Sequence, residues 1–173
     1  MVESSPATES DAGNRADGGV LLVSMPTYLL TWNPQSWPWD DLADEARRLR
    51  RGKGLEGRWG CGNSRSIKPG DQFFLLRQGQ PPRGIVASGR ITSAPRSGKH
   101  WDPKRRKKGV LARYVGLRFE VLLEPEREAP LGVAELTRGP LAKVHWRTQI
   151  SGIRIADDAA ALLEKLWTAH VAR

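Results

Sequence analysis

The chain has 173 residues, a length that suits one domain with a full-sized hydrophobic core. It contains 28 Lys and Arg residues against 19 Asp and Glu residues, and the net charge of +9 favours a polyanionic partner, above all a nucleic acid. The 1 cysteine excludes an intrachain disulfide and a cysteine-based zinc site, and no apolar run approaches the roughly 20 residues of a membrane span. We therefore expect a cytoplasmic protein without a membrane partner, a metal or another cofactor.

The first residues are poor in large apolar side chains, which predicts a disordered leader over 1–24 and one domain over 25–173. In chain order, the predicted elements are a strand at 28–32, a helix at 40–51, a Gly-rich loop at 52–62, strands at 72–77 and 85–92, a basic loop at 94–110, a strand at 114–123, an edge strand or helical turn at 131–136, a strand at 150–155 and a helix at 157–171. Acidic residues open the first helix and basic residues end it, as the helix dipole favours. The order predicts an α+β fold with a barrel-like sheet flanked by helices.

The segment 96–118 holds most of the positive charge, because its basic residues are opposed by Asp102 alone. Basic loops contact phosphates, and Trp101 inside this run suits the stacking of a base. The alternative is a solvated loop with no ligand. We predict phosphate contacts from Lys99, Lys104, Arg105, Arg106, Lys107 and Lys108.

Tryptophans outside the regular elements are the second feature of interest. A base that leaves its stack needs flat apolar walls and polar groups along its edge. Trp32, Trp37, Trp39, Trp59 and Trp101 all lie in predicted loops or at a strand end. Polar rim groups are available at Asn33, Ser64, Ser88 and Gln149. Two facing indoles also favour a methylated base, because they bury its methyl group, but many of these indoles are expected to belong to the core.

The residues typical of catalysis on nucleic acids are missing. The histidines His100, His145 and His170 lie far apart without metal-ligand spacing, and no nuclease, deaminase or Walker signature is present. Cys61 lacks a convincing histidine partner for a role as nucleophile. We expect a binding protein and not an enzyme. The alternative is an enzyme that acts on a nucleotide or small ligand in the same pocket.

Several short motifs, in their order and spacing, resemble EVE domains, which belong to the PUA-like superfamily together with YTH domains. The closing motif resembles the tail of EVE modules linked to modification-dependent restriction. The matching motifs are Tyr28–Pro34, Trp59–Asn63, Lys68–Leu76, Gly84–Gly89 and His145–Ile153.

The resemblance implies a small mixed β-barrel flanked by helices, with a pocket for a flipped modified base. Modified cytosine in DNA, such as 5-methylcytosine, is favoured, and a reader of a modified RNA base such as N6-methyladenine is the alternative. Restriction-linked modules act with a nuclease, so the resemblance also implies a separate nuclease or effector partner. Trp59 matches the first wall of the pocket and Trp101 is the best match for the second. The implied pocket residues are Trp32, Asn33, Trp59, Gly60, Cys61, Ser88, Trp101 and Gln149.

Overall fold

The computed structural model describes residues 25–173, so the predicted leader over 1–24 lies outside the described residues. The strands are β1 (Thr27–Trp32), β2 (Leu55–Gly60), β3 (Gln72–Arg77), β4 (Gly84–Ile91), β5 (Arg96–Lys99), β6 (Leu111–Leu122), β7 (Leu131–Gly132) and β8 (Ile153–Ile155). The helices are α1 (Leu42–Arg50), α2 (Pro103–Lys107) and α3 (Asp157–Val171), with two 3₁₀ turns at Glu135–Thr137 and Gly139–Lys143. Over this part of the chain, no helix has both the length and the apolar composition to cross a membrane.

The strands form one mixed sheet in the order β2-β6-β4-β3-β1-β8, with β5 paired to β6 and β7 paired to β4. β1 and β3 run parallel, and the other pairs are antiparallel. Among the described strands the sheet does not close, because β2 and β8 end the order without pairing to each other. The predicted α+β class, with a mixed sheet flanked by helices, is confirmed, although the sheet is not closed into the small barrel that the resemblance implies.

The centre of the sheet is buried on both faces. In β3, Phe73 and Leu75 pack into the core on the α1 face, whereas Phe74 and Leu76 pack on the α3 face. Alternate side chains of a strand point to opposite faces, so a run of apolar residues serves a sheet that is covered on both sides. α1 and α3 therefore cover the two faces of the sheet. Polar groups that can bind a ligand lie at the ends and edges of the strands.

Most predicted elements are confirmed, and two segments are corrected. The predicted Gly-rich loop at 52–62 contains β2, whose residues pair with Tyr114–Phe119 of β6. The predicted basic loop at 94–110 contains β5 and the short helix α2. The residues of β2 and β5 are polar or glycine-rich, and they become strands because β6 supplies an edge to which they pair.

Candidate functional site

A cleft of about 840 Å³ opens where β1, β2 and β6 meet the chain segments around them. Five segments provide its walls: the turn after β1, the edge of β2, the end of β3, the β5–α2–β6 arm and the tail before β8. The residues that line it are Thr31, Trp32, Asn33, Ser36, Trp37, Arg58, Trp59, Gly60, Gly62, Asn63, Gln78, Ser97, His100, Trp101, Asp102, Arg105, Val110, Leu111, Ala112, Arg113, Tyr114, Gln149, Ile150 and Ser151.

The first half of β6 forms the base of the arm. Tyr114 pairs with Gly60 of β2 on one side and with Arg96 of β5 on the other. Its hydroxyl donates to the backbone carbonyl of Lys99 at 2.7 Å, and the guanidinium of Arg58 lies 4.2 Å from its ring centroid. β2 and β5 are thus held on either side of the same strand end, which brings Trp59 and the segment that carries Trp101 to one cleft.

The indoles near the start of the chain form a packed cluster at the cleft. The rings of Trp37 and Trp59 meet edge to face with centroids 4.9 Å apart, and Trp39 packs against both. Trp59 is only 9% exposed, and its indole N–H donates to the carbonyl of Thr31 at 2.9 Å. The Trp32 indole donates to the carbonyl of Trp37 at 2.9 Å. The indole N–H groups of Trp59 and Trp32 are therefore already hydrogen-bonded within the protein. Both side chains are buried, so they support the cleft wall and expose little ring surface to a ligand.

Exposed apolar side chains concentrate at this cleft. Of the 7 large apolar residues that are exposed among residues 25–173, 5 line it. These are Trp37, Trp101, Val110, Leu111 and Ile150. Such residues usually avoid water, and a cluster of them marks a binding surface. The most exposed indoles are Trp37, at 41%, and Trp101, at 44%, so these two rings offer the flat apolar faces.

The β5–α2–β6 arm supplies positive charge. Asp102 caps α2 by accepting a hydrogen bond from the backbone N–H of Lys104 at 2.9 Å. The guanidinium of Arg106 donates to the backbone carbonyls of His100, at 2.9 Å, and Trp101, at 3.1 Å. Arg106 therefore positions the segment that carries Trp101, whereas Arg105 lines the cleft itself.

All six predicted phosphate-contacting residues are exposed to solvent. Within residues 25–173, no carboxylate forms a salt bridge with any of them. Arg58 and Arg113 add positive charge to the cleft, where Asp102 is the acidic lining residue. The predicted concentration of positive charge beside the aromatic residues is thus present.

The tail that carries Gln149 is held against the Trp59–Asn63 motif by two close backbone approaches. Gly62 has φ +58°, and a Cβ there would lie 2.6 Å from the carbonyl oxygen of Ser151. Gly152 has φ +86°, and a Cβ there would lie 2.2 Å from the carbonyl oxygen of Cys61. Glycine is required at both positions because a side chain has no room and left-handed backbone is costly for other residues. This contact places Gln149, Ile150 and Ser151 at the rim.

Two predicted pocket residues do not line the cleft. Cys61 is fully buried, and its neighbours Gly60 and Gly62 take its place in the wall. Burial raises the pKa of the Cys61 thiol, with Arg113 opposing the rise, so the thiolate required of a nucleophile is disfavoured. Ser88 lies in the core, where its hydroxyl accepts a hydrogen bond from the Trp167 indole at 2.8 Å. Both faces of β4 are covered, so the position of Ser88 within the predicted strand did not show that its side chain would be buried.

Trp37 and Gln78 are two of the lining residues that the sequence-based site did not include. Trp37 was noted as a loop indole, but its exposure depends on how the turn after β1 packs against Trp59. Gln78 follows β3 directly, and its backbone N–H donates to the carbonyl of Trp32 at 2.7 Å. Its side chain is 7% exposed, and its amide nitrogen has no hydrogen-bond partner among the described residues. The sequence showed only that Gln78 directly follows the strand predicted at 72–77.

A second cavity of about 510 Å³ lies on the other side of Trp32. Arg47, Arg77 and Arg127 line it together with Asp40, Glu124 and Glu126, so its charge is balanced and does not favour a polyanion. Within 25–173, no group of three or more His, Cys, Asp or Glu side chains is arranged to hold a metal ion.

Solved structures of three proteins are similar to this fold. A hypothetical protein from Leishmania major matches with a TM-score of 0.54 and 16% identity, over 84% of this chain and 96% of that one. Human THYN1, solved in complex with DNA containing 5-methylcytosine, matches with a TM-score of 0.54 and 16% identity, over 82% of this chain and 96% of its own. A protein from Pseudomonas putida matches with a TM-score of 0.50 and 18% identity, over 81% and 98%. No protein-family model and no curated protein sequence matches the chain. At these identities, the similarity establishes the α+β fold alone.

Proposed function

We propose that this protein is a non-catalytic reader that holds one extruded base of a nucleic acid in the cleft, with a modified cytosine of DNA as the favoured base. The observation that carries the proposal is the coincidence, at one cleft, of the exposed apolar residues and the basic arm. Flat rings suit a base, and cationic side chains suit the phosphates on either side of it. Trp37 and Trp101 provide the rings, and Arg58, Arg105 and Arg113 provide charge beside them.

The proposal assigns different tasks to the two kinds of residue. The exposed lysines of α2, such as Lys104 and Lys107, contact phosphates and fix the position of the protein without reading sequence. The indoles hold the base, and its methyl group adds apolar surface that burial between rings stabilises. Support for cytosine comes from the EVE resemblance and from human THYN1, whose fold is similar and whose structure contains DNA with 5-methylcytosine.

Equilibrium binding to matched duplexes tests the proposal. The duplexes differ in one position, which carries 5-methylcytosine or cytosine, and an RNA of the same sequence is the third ligand. We expect the modified duplex to bind most tightly, and all affinities to fall with rising salt as counterions are released. Equal affinity for both duplexes contradicts the reading of a modification. Preference for RNA contradicts the choice of DNA.

A further inference from the structure

The amide of Gln78 is an unusual polar group in the cleft. The side chain is 7% exposed and lines the cleft, and its Nε2 atom has no hydrogen-bond partner among residues 25–173. Buried side-chain donors are nearly always paired, so an unpaired one calls for an explanation such as a bound ligand or water. The main chain of Gln78 does not share this feature, because its N–H donates to the carbonyl of Trp32.

The other polar groups near Gln78 are already engaged or lie at the rim. The Oδ1 atom of Asn33 accepts a hydrogen bond from the backbone N–H of Gln35 at 3.0 Å, which fixes the turn after β1. The indoles of Trp32 and Trp59 donate to main-chain carbonyls. The hydroxyl of Ser151 accepts from the backbone N–H of Thr31 at 3.1 Å. Gln78 is therefore the buried amide of the cleft whose Nε2 donor has no hydrogen-bond partner among residues 25–173.

We propose that Gln78 is the specificity-determining residue that reads the edge of the base: its amide, whose Nε2 atom is covered in the free protein, turns about its terminal torsion and donates to an acceptor on the ring. This inference rests on the proposed function, because it requires a base in the cleft. The ring edge of cytosine carries acceptors, and a side-chain amide is suited to such an edge. Trp37 and Trp101 hold the faces of the base, and Gln78 recognises its edge at the end of β3.

The experiment measures binding of the full chain to three duplexes that carry 5-methylcytosine, cytosine or an abasic site at one position. Gln78→Met removes the amide and keeps a side chain of similar length, and Gln78→Glu replaces the donor with a carboxylate. Gln80→Met is the matched control, because Gln80 is an exposed glutamine two residues along that does not line the cleft.

We expect Gln78→Met and Gln78→Glu to bind the 5-methylcytosine duplex about tenfold more weakly, which is the effect of one lost hydrogen bond to a neutral group. Their affinity for the abasic duplex should equal that of the wild type, and Gln80→Met should change neither. An equal loss on the abasic duplex assigns Gln78 a structural role and overturns the proposal. Retained affinity in Gln78→Glu overturns donation by the amide.

The two proposals fail in different ways. If the wild type binds all three duplexes alike, no base is held and the proposed function itself is wrong. If the wild type prefers 5-methylcytosine and Gln78→Met shows the same preference with the same affinity, the base is held without Gln78. That second result leaves the reader function standing and overturns only the role of Gln78.

Discussion

Trp101→Ala tests the aromatic wall with little disturbance of the fold. The Trp101 side chain is 44% exposed, which for a tryptophan with roughly 250 Å² of surface leaves about 110 Å² for a ligand to cover. At about 25 cal/mol per Å², full coverage is worth about 2.7 kcal/mol, and coverage of half that area about 1.4 kcal/mol. We therefore expect the affinity for a 5-methylcytosine duplex to fall between about tenfold and about a hundredfold.

The same substitution at Trp59 does not give a clean test. Trp59 is 9% exposed, packs against Trp37 and Trp39, and donates to the carbonyl of Thr31. Removing a buried tryptophan costs about 3–5 kcal/mol of stability, so Trp59→Ala is expected to lose binding through unfolding. Trp101 has no such role in the core, and its variant should melt close to the wild-type temperature.

Fluorescence polarisation with a labelled duplex measures the effect of Trp101→Ala, with thermal unfolding measured alongside. Trp101→Phe keeps a flat ring and should recover part of the affinity. Val171→Ala is the control, because Val171 is an exposed apolar residue that does not line the cleft. Binding of Trp101→Ala within twofold of the wild type would refute the assignment of Trp101 to the wall.

Three further predictions follow from the arm, the tail and the buried thiol. Lys107→Ala should weaken binding to modified and unmodified duplexes alike and lower the slope of log affinity against log salt by about 0.9. Arg48 is an exposed arginine on α1, and Arg48→Ala should change neither the affinity nor the slope. A change in base preference in Lys107→Ala would contradict the phosphate role. Gly152→Ala should lower the free energy of unfolding, measured by calorimetry, by about 2 kcal/mol or more, because its Cβ would lie 2.2 Å from the Cys61 carbonyl oxygen. A Cβ at Gly54 would meet nothing within 4 Å, so Gly54→Ala should be tolerated. Equal melting temperatures for the two variants would contradict the tight contact between the tail and Cys61. Cys61 should react with a disulfide reagent at pH 8 more slowly in the native than in the denatured chain, because burial raises its pKa, and equal rates would contradict its burial.

The elements that the sequence predicted well are those whose pattern is local. The helix predicted at 157–171 is observed as α3 (Asp157–Val171), since acidic residues open it and apolar residues recur along one stripe. The apolar runs of β1 and β3 likewise indicate strands that are covered on both faces. β2 and β5 were missed because their residues are polar or glycine-rich, and their pairing with β6 is a long-range property.

The sequence predicted several residues of the site but not how they are arranged around the cleft. Charge localised to the β5–α2–β6 arm is visible in the sequence, and Trp101 falls inside it. The sequence does not show which indole faces solvent, so Trp59 was assigned a wall that Trp37 presents more openly. Gln78 was missed because a glutamine at a strand end is common, and an unpaired buried donor appears only in the packed structure. The restriction link, the nuclease partner and the cytoplasmic location stay predictions.

The central claim is that one base leaves its duplex and enters the cleft. The measurement that tests it most directly is the fluorescence of 2-aminopurine placed directly beside the 5-methylcytosine in the same strand, because this probe brightens when a stacked neighbour is removed. We predict a rise in fluorescence on saturation with the wild-type protein and a much smaller rise with Trp101→Ala at equal occupancy. Saturated binding without any rise would contradict the account, since it would show the base still stacked within the duplex.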